Sequence, residues 1–238
     1  MKKISKLTKL GIVVRVIMAI MRIFKKKPVI IGNTNLPEKA IYISNHNAAA
    51  GPISLSLYFP SLYIPWGAHQ MTENVRARWK YLYHVFYRKQ LEFGKSAAFI
   101  LSTLCAPFSK LVFIAMHVIP TYRDLRLLHT IDISIKHLDV GNSILIFPEE
   151  LEEGYKEILE KYQAGFVLLA KQYLQKRNID LPVIPIYFSK KENIIIIGEV
   201  RYCKEMFEQG MNRNKITEFF LLQTNQLYAN YLDSKRYF

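Results

Sequence analysis

A chain of 238 residues, half of them hydrophobic and 22% charged, carries enough apolar material for one full core and too little charge for a disordered protein. Its 33 Lys and Arg against 19 Asp and Glu leave a net charge of +14. That excess points to an anionic partner without choosing among nucleic acid, a membrane surface and a phosphorylated substrate. Cys105 and Cys203 are too few to frame a disulfide scaffold and lack the spacing of a zinc site, which fits a reducing compartment.

In chain order, residues 10–24 form an apolar run interrupted by Arg15 and followed by Lys25, Lys26, Lys27 and Pro28. The run is shorter than the ~20 residues that span a bilayer. Thr8, Gly11, Arg15, Ala19 and Arg22 recur every three or four residues, a narrow small-or-cationic stripe on an otherwise apolar helix. Residues 1–27 are therefore expected to form an amphipathic helix in the membrane interface, its basic ends toward anionic headgroups. An ordinary core helix is the competing expectation. No small-x-small site precedes Lys25, which argues against a cleaved signal peptide.

Residues 28–238 read as a single α/β domain. The stretch 39–45 predicts a buried strand entering a loop at His46, and 53–65 begins as a helix. Residues 76–89 interleave basic and aromatic side chains, suited to stacking on bases, to a lipid headgroup boundary, or to a helix packing its aromatics in the core. Residues 96–119 predict a helix broken near Pro107, Ser109 and Lys110, then a strand, rather than a membrane span. Helical spacing over 125–139 ends at Gly141-Asn142, and 143–147 is a short strand ending at Pro148-Glu149-Glu150. A helix over 152–175, strands over 181–188 and 193–200, and a closing helix over 214–232 complete the pattern. Such alternation predicts a mixed, largely parallel sheet flanked by helices, with the site in loops at strand ends.

His46 stands where a loop residue reaches into a cleft, and a neutral imidazole there accepts a proton from a hydroxyl if its tautomer is fixed. Asn45-His46, four residues and then Gly51-Pro52 resemble the N-H-x-x-x-x-D-P motif of the glycerolipid acyltransferases, the lysophosphatidic acid acyltransferases and their relatives. Ile119-Pro120-Thr121-Tyr122-Arg123 is similar to the family's second motif. Phe147-Pro148-Glu149 resembles the third, F-P-E-G-T-R, and Leu181-Pro182-Val183-Ile184-Pro185 the fourth, V-P-V-x-P. Gly165–Ala170 looks like the family's glycine-apolar-alanine helix. The likeness spans about residues 28 to 200, and four short motifs in the right order are far harder to obtain by chance than one.

The resemblance implies a glycerolipid acyltransferase-like fold in which His46 is the general base. It deprotonates a hydroxyl or amine of a lysolipid or related lipid, which attacks the thioester of acyl-CoA or acyl carrier protein. It implies further that Arg123, Phe147, Pro148 and Glu149, with Asn45 and Gly51 beside the base, form the acceptor site. No metal and no cofactor beyond the thioester co-substrate are expected. The expected partners are an anionic membrane surface, the lipid substrate and acyl carrier protein, not nucleic acid. The expected location is the cytoplasmic face of the membrane, peripheral or monotopic, with apolar side chains from 96–118 helping to house the acyl chain.

Two departures matter. Gly51 occupies the position of the family's aspartate, so Asp124, Glu149 or the side chains of Asn45 and Asn47 are left to orient His46. The third motif continues as Glu150-Leu151-Glu152-Glu153, whose carboxylates either repel an acceptor phosphate or form a solvated helix start. The first case favours an acceptor less anionic than lysophosphatidate: a glycolipid, a polyol or an amine-bearing lipid. The alternative to an active enzyme is a catalytically impaired relative acting as a lipid-binding or interaction protein. The remaining histidines show no metal-ligand spacing, and the sequence contains neither a glycine-rich nucleotide loop nor a G-x-S-x-G elbow.

Overall fold

Short runs rich in Ile and Val build the sheet, because strands buried on both faces favour β-branched side chains. A computed structural model of the chain describes residues 4–47, 49–149 and 156–236. Its strands are β1 (Val29–Ile31), β2 (Ile41–Ser44), β3 (Tyr63–Ala68), β4 (Ile119–Thr121), β5 (Ser143–Ile146), β6 (Val183–Ser189) and β7 (Ile194–Ile197). They lie in the order β1-β7-β6-β2-β5-β3-β4. All pairings are parallel except β6 with β7, a hairpin in which Asn193 takes a left-handed backbone (φ 51°). The expected mixed, largely parallel sheet is what the chain forms.

Eight α-helices accompany it among the described residues: α1 (Ile12–Phe24), α2 (Ala50–Tyr58), α3 (Val75–Tyr81), α4 (Lys95–Ala115), α5 (Leu127–Asp139), α6 (Gly165–Arg177), α7 (Lys204–Glu208) and α8 (Arg213–Arg236). A π-helical stretch, Leu82–Gln90, continues α3. One sheet face packs Ile41, Ile43, Ile144 and Ile146 against Ile131 and Ile135 of α5, Phe166 of α6 and Phe220 of α8. The opposite face packs Tyr42, Leu145, Ile184 and Ile186 against Leu55 of α2. Alternate residues of β2 and β5 thus serve two cores, as the two-residue strand period requires.

The predicted stop of α5 is a left-handed glycine: Gly141 has φ +84°, its N–H donates to Leu138 O, and Asn142 N–H donates to His137 O. This is the pairing of a Schellman cap.

Four local expectations change. Within 53–65 the helix ends at Tyr58 and a strand follows through Pro65. Pro65 fits because β4 pairs only with Trp66–Ala68, so no ladder donor is needed on that side at position 65. Helix α4 runs unbroken through Pro107. The helix expected over 152–175 begins only at Gly165; residues 152–155 lie outside the described residues. Backbone at 156–164 goes elsewhere: Tyr162 bridges to Glu149, and Leu159 donates its N–H to Asn225 Oδ1 and accepts Asn225 Nδ2–H at its carbonyl (both 2.9 Å). Strand β1 and helix α7 were not anticipated, being only three and five residues long.

Candidate functional site

Parallel strands deliver their carboxyl ends to one edge of the sheet, and the chain carries His46 off β2, His69 off β3, Arg123 off β4 and Glu149 off β5 there. β2 and β5 are neighbours, and their loops meet. The Glu149 carboxylate accepts the backbone N–H of His46 at 2.7 Å. Burial pushes its carboxyl above the usual carboxylate range, while the backbone N–H groups of His46 and Asn47 pull it back. The Phe147 ring meets the His46 imidazole edge to face at 5.1 Å, and Pro148 is buried behind it. Nδ1 of His46 is buried.

Asn45 is a structural clamp. Its Oδ1 accepts Phe188 N–H at 2.7 Å and its Nδ2 donates to Phe188 O at 2.9 Å, fixing the end of β2 to β6. Asn47 turns the loop with a left-handed backbone (φ 40°), a conformation that asparagine tolerates better than most residues. Its Nδ2 is a buried donor with no hydrogen-bond partner among the described residues.

Gly51 lies in the first turn of α2, against the carbonyls of the His46 loop. A Cβ at this position would stand 2.5 Å from His46 O and 3.1 Å from Asn45 O. The backbone itself fills the space an aspartate would need, so Gly51 sets how closely α2 approaches the base.

Of the expected orienting groups, Asn45 is committed to Phe188 and Asp124 to Arg126. Asp124 accepts Arg126 Nη2–H at 2.7 Å and the Arg126 backbone N–H at 2.9 Å, which holds its carboxyl down at about 2. Among the described residues Glu149 is a carboxylate brought to His46, and its hydrogen bond runs to the backbone. Arg123 is exposed on the loop after β4, three strand positions from β2, or about 14 Å at the ~4.8 Å strand spacing.

Beside it lies a cluster that sequence reading missed. His69 stacks on Tyr122 (4.7 Å), its Nδ1 lies 3.2 Å from Thr121 O, and Arg126 lies over the Tyr122 ring at 4.4 Å. The signal was present only as a histidine directly following a strand, as at His46. Glu150, Glu152 and Glu153 lie outside the described residues. A cavity of about 260 Å³ lies apart from His46, between α4, β4 and α5, lined in part by Lys110, His117 and His137. No group of three or more metal-ligating side chains occurs among the described residues.

Comparison with protein-family models and with curated proteins finds no match to this chain.

Proposed function

We propose that the protein is an acyltransferase-like α/β enzyme that moves an acyl group from a thioester to a hydroxyl or amine of a lipid acceptor, with His46 as general base. One observation carries the reading: His46 leaves a central parallel strand at the sheet's carboxyl edge, where the half-buried Glu149 carboxylate holds its backbone N–H. Such an edge is where open α/β sheets bind ligands. With Nδ1 buried, Nε2 is the nitrogen assigned to take the acceptor proton. Glu149 acts as a positioning residue through the backbone, and Arg123, exposed at the same edge of the sheet, is assigned to the polar headgroup of the acceptor. The order of the four motifs supports the same assignment.

Gly51 favours a second reading, a catalytically impaired relative that keeps the fold for lipid binding, because no carboxylate can enter at that position. Turnover of a panel containing lysophosphatidate, a neutral lyso-glycolipid and an amine-bearing lysolipid separates the two. The acyltransferase reading expects transfer by the wild type, with a neutral or amine-bearing acceptor preferred. Absence of transfer to every acceptor favours the impaired relative, and a clear preference for lysophosphatidate sinks the proposed acceptor class.

A further inference from the structure

Helix α4 is long and apolar enough to cross a membrane by length and composition, yet it lies along the domain. Ala98, Ser102 and Ala106, spaced by one turn, press one side of it into a cluster with Leu82 and Tyr87. A helix bound to protein along its length is not free to be ringed by lipid. Its other side carries Phe99, Ile100, Leu104, Phe108, Leu111 and Ile114, all exposed, and only 17% of its most apolar stretch is buried. These side chains form a patch on the order of several hundred Å², at or above the largest apolar patch of an ordinary monomer. The acyl chain expected to lie among residues 96–118 therefore has no enclosure from these side chains.

Helix α1 has the same two-sided character. Val14 and Met18 face Leu57 of α2, while Ile12, Val16, Ile20 and Ile23 are exposed. It reaches Ala115 and Met116 at the end of α4, so the two helices adjoin.

Charge decides what covers this surface. Residues 1–123, which include α1 and α4, hold 18 Lys and Arg against three Asp and Glu; residues 124–238 hold 15 against 16. The entire basic excess thus lies in the half of the chain bearing the exposed apolar helices. Neither helix contains an acidic residue, and exposed Lys9, Arg15, Lys25, Lys26, Lys27, Lys95 and Lys110 border or interrupt the stripes. A second copy of the chain would bring like charge to like. An anionic bilayer offers both hydrocarbon and negative headgroups.

We infer that α4 is a second membrane-docking element, lying in the interface of an anionic bilayer beside α1. This extends the membrane-interface expectation for residues 1–27 and rests on none of the acyl-transfer chemistry. The test is flotation of the full chain with vesicles of phosphatidylcholine and phosphatidylglycerol, and with phosphatidylcholine alone. The triple variant Leu104→Glu, Phe108→Glu, Leu111→Glu alters α4, and Val16→Glu, Ile20→Glu alters α1. Circular dichroism establishes that each variant is folded, and Phe108→Trp fluorescence supplies a reading that does not depend on the charged variants folding.

Wild type is expected to float with the anionic vesicles and release at high salt. The α4 triple variant should lose at least tenfold in partitioning, and the F108W indole should shift to the blue on anionic vesicles only. Wild-type-like flotation of a folded α4 variant, or an F108W emission unchanged by vesicles, overturns the inference while leaving α1 as the anchor. Lipid-free dimerisation abolished by the α4 variant also overturns it. Failure of the wild type to float overturns the whole membrane reading.

Discussion

Gly51 is the residue at which the usual ranking of helix formers should reverse. Within an ordinary helix, Gly→Ala is worth about 1 kcal/mol of stabilisation. Here the new methyl would meet His46 O at 2.5 Å, and forcing atoms into a filled space costs about 1–3 kcal/mol. The contact is with backbone, so the second effect should win. Urea unfolding of Gly51→Ala should show a net loss of about 1 kcal/mol, and Gly51→Asp a larger one; a stabilised Gly51→Ala contradicts the packing described. His137 gives a pH test. The residue is 8% exposed, and burial, with His117 nearby, pushes its pKa down to about 4. The unfolded chain takes up this proton near pH 6.5 and the folded one only near 4, so the stability it contributes is present above 6.5 and lost as pH falls toward 4. The loss is at most about 3 kcal/mol, and about half that once the adjoining cavity admits screening water. His137→Gln should flatten the dependence over that window; an unchanged slope contradicts it. At this scale the sequence pointed to His46 and Glu149 through motif order. It could not place them in contact, because a hydrogen bond across 103 residues depends on β2 and β5 being neighbours.

Among the elements, α4 shows why a local rule misleads. Pro107 was expected to break the helix, since it lacks an N–H and crowds the preceding turn. Side chains grip the carbonyl of Ala106, the residue just before it, and tie it to α3. Buried Arg78 donates from Nε to Ala106 O at 2.8 Å and from Nη1 to Glu73 O, and Ser109 Oγ also donates to Ala106 O. Arg78→Met should cost about 2 kcal/mol in chemical denaturation, the value of hydrogen bonds to a charged donor. A change under half that size would mean α3 and α4 are held by apolar contacts alone. The aromatic stretch of 76–89 resolves in a similar way: Trp79 stacks on Tyr83 at 5.1 Å and meets Phe99 at 5.6 Å, so these rings are engaged with α4 and one another. Elements with strong periodicity, α1, α5, β5 and β6, were legible because their packing follows their pattern. Strand β3 and the 156–164 segment were not, because tertiary partners decide them.

Over the whole molecule, a mixed, largely parallel sheet gathers four loops at one edge, and the basic half of the chain supplies two exposed apolar helices. The expected sheet was legible from the alternation of strands and helices, whereas the strand order and the outward face of α4 follow only from the fold. General-base action by His46 is tested by transfer of a labelled acyl group from acyl-CoA to a neutral lysolipid by wild type and His46→Ala. Loss of a positioned general base should lower turnover by about 10²–10⁴ while the folded structure is kept. Equal transfer by the two proteins, or transfer by neither, would contradict the account.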